Sequence, residues 1–328
     1  MLNGLYVMDP NRFDDVYGPD ARAALERHLA IDSPLLTADR LTPDVLGGLE
    51  VLVTGWGAPK LDAEFLAAAP KLSLVLYGAG SIRSMVTPEM WARGVRVTTA
   101  ATANAEPVAE FALSQILYAL KHGWRYVLNA RAAAATAPRG PELGAYGATV
   151  GLVSLGATGR ATARLLAHHK LDVQAHDPYA DPAEAERLGV RLVGLEELFA
   201  TSDVVSLHAP LTPETNGMIG AALLESMKHD ATLINSARGQ LVDEAALVDV
   251  LSRRTDLFAV LDVTHPEPPV AGSPLFTMPN IVVTPHVAGS LGHERRRHGE
   301  AMAEELVRYL AGEPLRYEIT ESGLARRA

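Results

Sequence analysis

The chain has no cysteine, which excludes disulfides, thiolate catalysis and zinc–sulfur sites. It also lacks any apolar run approaching the roughly 18–20 residues that a bilayer-spanning helix needs. Positive charge is scarce: 29 lysines and arginines face 39 acidic residues, a formal net charge of −10. A nucleic-acid surface needs a basic face for phosphate contacts, so no such partner is expected. The basic triplet Arg295–Arg297 lies in a helical pattern and reads as a solvated face. The N-terminal "MLNGLYVMDPNRF" has neither a basic segment before its apolar residues nor a small-residue cleavage pattern. No signal peptide or membrane partner is therefore expected, and a cytoplasmic location follows by default.

What is present suits a globular protein. With 328 residues, 48% hydrophobic and 21% charged, the chain can fill two domains of ordinary size. Short β-rich runs alternate with helical patterns almost from end to end, as in parallel sheets with crossover helices. A first group comprises residues 4–9, 49–55, 72–78 and 95–100. A second comprises 149–156, 172–177, 190–193, 203–210, 231–239, 258–263 and 280–289. Between them the pattern predicts one long helix, roughly Asn104–Arg131, with Pro107 in its first turn. The alanine-rich tract and "APRGPELGAYG" that follow read as a surface loop. A closing helix at about 293–311 could return to the first group. The expectation is a smaller α/β domain before a larger one.

The stretch "ATVGLVSLGATGR" (148–160) reads as a strand, a tight turn and a helix start. It approaches the dinucleotide fingerprint G-x-G-x-x-G, with Gly156 and Gly159 in the second and third places and Ser154 in the first. Serine could stand there with modest strain if its backbone angles stay negative. Helix N-terminal amides near Ala157 and Thr158 would then face an anion. Asp177 follows Gly156 by 21 residues, at the end of the next strand. A carboxylate there can accept from the adenosine ribose hydroxyls and would repel a 2′-phosphate, favouring NAD over NADP.

Ligands of open α/β sheets gather beyond the carboxyl ends of the strands. Those ends carry Gly156, Asp177, His208, Arg238, Asp262 with Glu267, and His286. Arg238 could hold a carboxylate or carbonyl oxygen through its planar donor fork. His286 could exchange a proton with a hydroxyl or carbonyl, and Glu267 could hydrogen-bond its imidazole. In the first group, "YGAGS" (77–81) could form an anion nest around Ala79 and Gly80. His208 could simply end its strand, and His265 is a candidate modifier of the pocket. His293 and His298 stand about 140° apart on a helix, which does not fit the metalloprotease spacing, so no metal is expected.

In "SDVVSLHAPLTPETNGMI", "LINSARGQLVDEAAL", "LDVTHPEP" and "NIVVTPHVAG", in that order, the chain resembles the D-isomer-specific 2-hydroxyacid dehydrogenases. The likeness runs from "LVTGWGAPKLDAEFLAAAPKLSLVLYGAG" and "GVRVTTAATANAEPVAEFALSQILYALK" onward. It implies two doubly wound parallel-sheet domains: a Rossmann-type NAD domain at 102–294 and a flavodoxin-like substrate domain from 1–101 and 295–328. A homodimer through the NAD domains is implied too. By the same resemblance His286 is the proton donor in 2-oxoacid reduction, Glu267 its partner and Arg238 the substrate-orienting cation. Ala157, Thr158, Asp177, Pro210, Thr215, Ala237, Arg238 and Asp262 would contact NAD, with Val108 near the nicotinamide. Ala79 and Gly80 would meet the substrate carboxylate.

Two departures stand out: Ser154, and Ser81-Ile82-Arg83-Ser84 where an acidic run is common in the family. Arg83 or Trp56 is expected to line the substrate entrance and favour a bulky or doubly anionic acid. Formate dehydrogenases of this fold carry glutamine where this chain has Glu267. A phosphoglycerate dehydrogenase with a regulatory domain is disfavoured, because the chain ends shortly after the closing helix. Phosphite oxidation and an NAD-sensing, corepressor-like interaction protein stay open as alternatives.

Overall fold

The computed structural model describes residues 1–136 and 144–324, so much of the expected "APRGPELGAYG" loop lies outside the described residues. Two compact units emerge: Met1–Asn104 with the segment from Ser290 onward, and Ala105–Gly289. The changeovers fall at 104/105 and 289/290 rather than at 101/102 and 294/295. The Ser290 amide donates to the Asn104 side chain at 2.8 Å, which ties residues just outside both expected limits into the first unit.

The first unit is built on β1 (Leu2–Val7), β2 (Leu29–Ala30), β3 (Val51–Thr54), β4 (Leu74–Tyr77) and β5 (Arg96–Thr99). They lie in the order β5-β4-β3-β1-β2, all parallel, and the short strand Glu318–Ile319 adds an antiparallel edge beside β5. This is the flavodoxin-like order. Period-2 alternation sends Leu5, Val7, Leu52 and Val75 to one apolar cluster and Tyr6, Met8, Val51, Val53 and Leu76 to another. Both faces are thus buried, which explains the continuous apolar runs. The closing helix, Arg296–Leu310, packs Met302 and Leu306 into the second cluster. Gly299 permits the close approach: a Cβ there would lie 2.2 Å from the Val16 carbonyl oxygen.

The second unit holds β6 (Thr149–Val153), β7 (Asp172–His176), β8 (Arg191–Leu192), β9 (Val204–Leu207), β10 (Thr232–Asn235), β11 (Phe258–Leu261) and β12 (Ile281–Val283). Their order is β12-β11-β10-β9-β6-β7-β8, all parallel, the Rossmann arrangement with one strand added. The order reverses between β6 and β9, and that switch point is where a nucleotide belongs in such sheets.

The single long helix expected at 104–131 is two: Ala105–Ala119 and Gly123–Ala133. His122 turns left-handed at φ 54°, and Gly123 packs so tightly under Tyr118 that a Cβ would sit 2.3 Å from its ring. The second helix also takes in the start of the alanine-rich tract. Among the described residues no helix is long and apolar enough to cross a membrane.

Candidate active site

Register brings the site residues of the second unit to neighbouring strand ends. Val153 at the end of β6 is opposite His176 of β7 and Leu207 of β9, so the glycine loop, Asp177 and His208 emerge side by side. The helix Ala157–Leu166 starts at Gly156, whose side carries no cap, leaving the first-turn amides to an outside acceptor. Gly159 is required by packing: a Cβ there would fall 2.1 Å from the Ser154 carbonyl oxygen. At Gly156 only the Ser154 hydroxyl would come within 4 Å, at 3.7 Å, so the backbone is open to a close approach. His208 is buried with neither ring nitrogen hydrogen-bonded in the chain, and burial pulls its pKa down to about 4, keeping it neutral. An uncapped helix start, an open glycine and an orphaned imidazole together fit a bound dinucleotide.

The expectation of negative angles at Ser154 is corrected: its φ is +82°. The turn demands the conformation that glycine takes without penalty, and serine adopts it here with hydrogen bonds on both sides. The Ser154 amide donates to the His176 carbonyl at 2.8 Å, and its hydroxyl donates to Asp177 Oδ2 at 3.1 Å.

The other group of expected site residues lies after β10, β11 and β12. Asn235 is opposite Leu261, and Leu261 opposite Val283, so the segments carrying Arg238, Glu267 and His286 leave the sheet in line. Asn235 brackets the first turn, accepting from the Ala237 amide at 3.0 Å and donating to the Arg238 carbonyl at 2.9 Å. Gly239 then lets this turn press onto the next segment, since a Cβ there would sit 2.1 Å from the Thr264 carbonyl group. Sequence reasoning passed over Asn235 and Gly239, although the run Asn-x-x-Arg-Gly was the available signal. Burial pulls the Arg238 guanidinium below its usual pKa, and the nearby negative charge of Glu267 acts against that pull. It remains a cation at neutral pH.

Glu267 accepts from His286 Nδ1 at 2.5 Å. An ionised carboxylate can only accept, so the proton sits on Nδ1 and Nε2 is the nitrogen available to a substrate. Both side chains are about half exposed. His286 itself is left-handed at φ 53°. Asp262 holds it there: the His286 amide donates to the Asp262 carbonyl at 2.9 Å. The buried Asp262 carboxylate accepts from Thr284 Oγ1 at 2.5 Å, Val287 N at 2.9 Å and Ala288 N at 2.8 Å. Asp262, expected as a cofactor contact, thus also fixes the loop that presents the histidine. Asp262→Asn turns an amide group toward these donors. It is expected to lower unfolding free energy by about 1–3 kcal/mol, checked by denaturant melts. Misplacement of the imidazole is expected to reduce kcat by roughly tenfold or more, checked by steady-state assay.

The remaining expected contacts are placed as follows. Ala157, Thr158 and Ala237 are half-buried at their turns, and so is Val108 on the helix Ala105–Ala119. The Thr215 hydroxyl donates to the Pro210 carbonyl at 2.6 Å and accepts from Thr212 N at 2.8 Å, so it closes the loop after β9. His265 is exposed, and its amide reaches Glu244 at 3.4 Å. Among the described residues no group of three or more His, Asp or Glu could hold a metal ion.

In the first unit, the Thr99 hydroxyl bridges the carbonyls of Ala79 (2.8 Å) and Gly80 (2.5 Å), fixing the turn after β4. Gly80 has open space where a Cβ would point. Trp56 follows the neighbouring β3, partly exposed, with the His298 ring 6.1 Å away and the Arg295 guanidinium 5.9 Å over its face. Arg295 corrects the solvated-face reading of its triplet: its side chain is only 13% exposed and pairs with Asp15 at 2.6 Å. Arg83 donates to the Leu324 carbonyl at 3.0 Å.

A Rossmann unit with this cradle, joined in one chain to a flavodoxin-like unit, defines the class as two-unit α/β proteins with an NAD-binding domain. Residues 112–288 match the family model "D-isomer specific 2-hydroxyacid dehydrogenase, NAD binding domain", and the chain belongs to that family. It is 38% identical over 267 residues to D-3-phosphoglycerate dehydrogenase of Mycobacterium tuberculosis, covering 78% of this chain and 48% of that protein. It is 36% identical over 258 residues to glyoxylate reductase of Korarchaeum cryptofilum, covering 77% of each. The structure resembles a D-isomer specific 2-hydroxyacid dehydrogenase of Xanthobacter autotrophicus Py2, solved in complex with NADPH and MES. That match has a TM-score of 0.77 at 27% identity and covers 97% of this chain and 98% of the other. The chain spans about half the length of the phosphoglycerate dehydrogenases it matches.

Proposed function

We propose that this protein interconverts a D-2-hydroxyacid and its 2-oxoacid with NAD(H). The observation that carries the reading is the Glu267–His286 hydrogen bond beside the Arg238 cation, all at adjacent strand ends of the NAD-binding unit. Gly156, Ala157, Thr158 and Gly159 would hold the pyrophosphate, and Asp177 the adenosine ribose. The bound nicotinamide supplies a hydride acceptor or donor. Arg238 would orient the substrate carboxylate and counter negative charge growing on the C2 oxygen. His286 Nε2 would give that oxygen its proton during reduction and take it back during oxidation. Glu267 keeps the imidazole in the tautomer and orientation this requires.

Ala79 and Gly80 would offer backbone donors to the substrate carboxylate. For substrate choice, Trp56 has better support than Arg83, which is engaged with the chain's own Leu324 carbonyl. Trp56 keeps a partly exposed ring braced by Arg295 and His298. The relatives place phosphoglycerate beside glyoxylate among the candidate substrates. A homodimer through the NAD-binding units and a cytoplasmic location complete the proposal.

Glyoxylate, hydroxypyruvate, pyruvate and 3-phosphohydroxypyruvate assayed with NADH test it. Turnover of at least one is expected, with NADPH poorer by about tenfold or more because Asp177 opposes a 2′-phosphate. Tight NADH binding with no turnover of any 2-oxoacid would point to a sensing protein instead.

A further inference from the structure

Asp177 is already heavily used by the chain. Its Oδ2 accepts from Leu155 N at 2.8 Å and from the Ser154 hydroxyl at 3.1 Å, while Oδ1 accepts from Tyr179 N at 2.8 Å. An ionised carboxylate offers about four acceptor sites, so about one is left. The adenosine ribose brings two neighbouring hydroxyls. A glycine at position 154, as in the common fingerprint, would leave a second site open on Oδ2. The Ser154 hydroxyl is itself held in place, accepting from Gly156 N at 3.3 Å. It therefore links the phosphate-loop backbone to the acid.

We propose that Ser154 is a positioning residue that restrains adenosine binding: its hydroxyl occupies an acceptor site on Asp177 that the second ribose hydroxyl would otherwise use. This rests on the reading of Asp177 as the ribose acceptor. In the native protein one ribose hydroxyl bonds Asp177 well and the other must displace Ser154 or do without. Cofactor affinity is thereby held down, and the native protein discriminates little between a ribose with two hydroxyls and one with a single hydroxyl.

The test is equilibrium binding of NADH and of its 2′-deoxyadenosine analogue to the full chain, followed by nicotinamide fluorescence. For Ser154→Gly, NADH is expected to bind about three- to tenfold more tightly, the worth of one net hydrogen bond. The deoxy analogue should be nearly unchanged, so a preference absent from the native protein appears. Ser154→Ala removes the hydroxyl but keeps the Cβ on the left-handed backbone, and it should show the same preference. If Ser154→Gly binds both ligands with unaltered or equally altered affinity, the proposal is overturned. A gain in Ser154→Gly that a folded Ser154→Ala does not share would assign it to backbone relief and overturn the proposal too. Absence of NADH binding by the native protein would instead remove the cofactor reading beneath it.

Discussion

Replacing His286 with alanine is expected to lower kcat by about 10²–10⁴ while leaving NADH affinity within about twofold. In the proposed reaction the imidazole would move a proton at the substrate oxygen through Nε2, while Glu267 holds its Nδ1. Nothing in the glycine cradle depends on it: that loop sits beside β6, and β9 and β10 lie between β6 and the neighbouring pair β11 and β12. Stopped-flow hydride transfer and fluorescence titration of NADH separate the two readouts. A kcat within a few-fold of native would remove His286 from the chemistry. Loss of NADH binding would assign it to the cofactor site instead.

Arg238→Ala is expected to reduce kcat/KM for 2-oxoacids by roughly 10²–10³. The planar fork is suited to a carboxylate and to a carbonyl oxygen gaining charge, and burial makes its field felt more strongly than a surface cation's. Arg238→Lys keeps the charge and loses the fork, so it should recover only part of the activity. Full recovery by lysine would mean that a point charge suffices. The Asn235 bracket and the contact of Gly239 with Thr264 do not involve the guanidinium. Thermal stability should therefore change little, and a collapse in stability would mark Arg238 as structural.

Much of this was legible in the sequence for a simple reason. Strands buried on both faces must be apolar throughout, and parallel connections return the chain to the same edge, so polar residues after each run mark one end of a sheet. Arg238, Glu267 and His286 are singled out that way, and their segments do leave neighbouring strand ends. What escaped depended on backbone geometry. The break at His122 depends on how closely Gly123 passes Tyr118, which periodicity does not encode. The positive φ of Ser154 follows from the turn, while the residue name suggested an ordinary angle. Asp262 reads as one more acid at a strand end, and only the bonds to Thr284, Val287 and Ala288 reveal its hold on the histidine loop. Arg295 looked solvated because its charge-rich neighbours hide a pairing with Asp15, 280 residues earlier.

The left-handed backbone of His286 has a consequence for engineering. Glycine or asparagine would be more comfortable at that position. Directed evolution for heat resistance alone should therefore drift away from the imidazole, and this loop is where gains in durability and loss of turnover would part company.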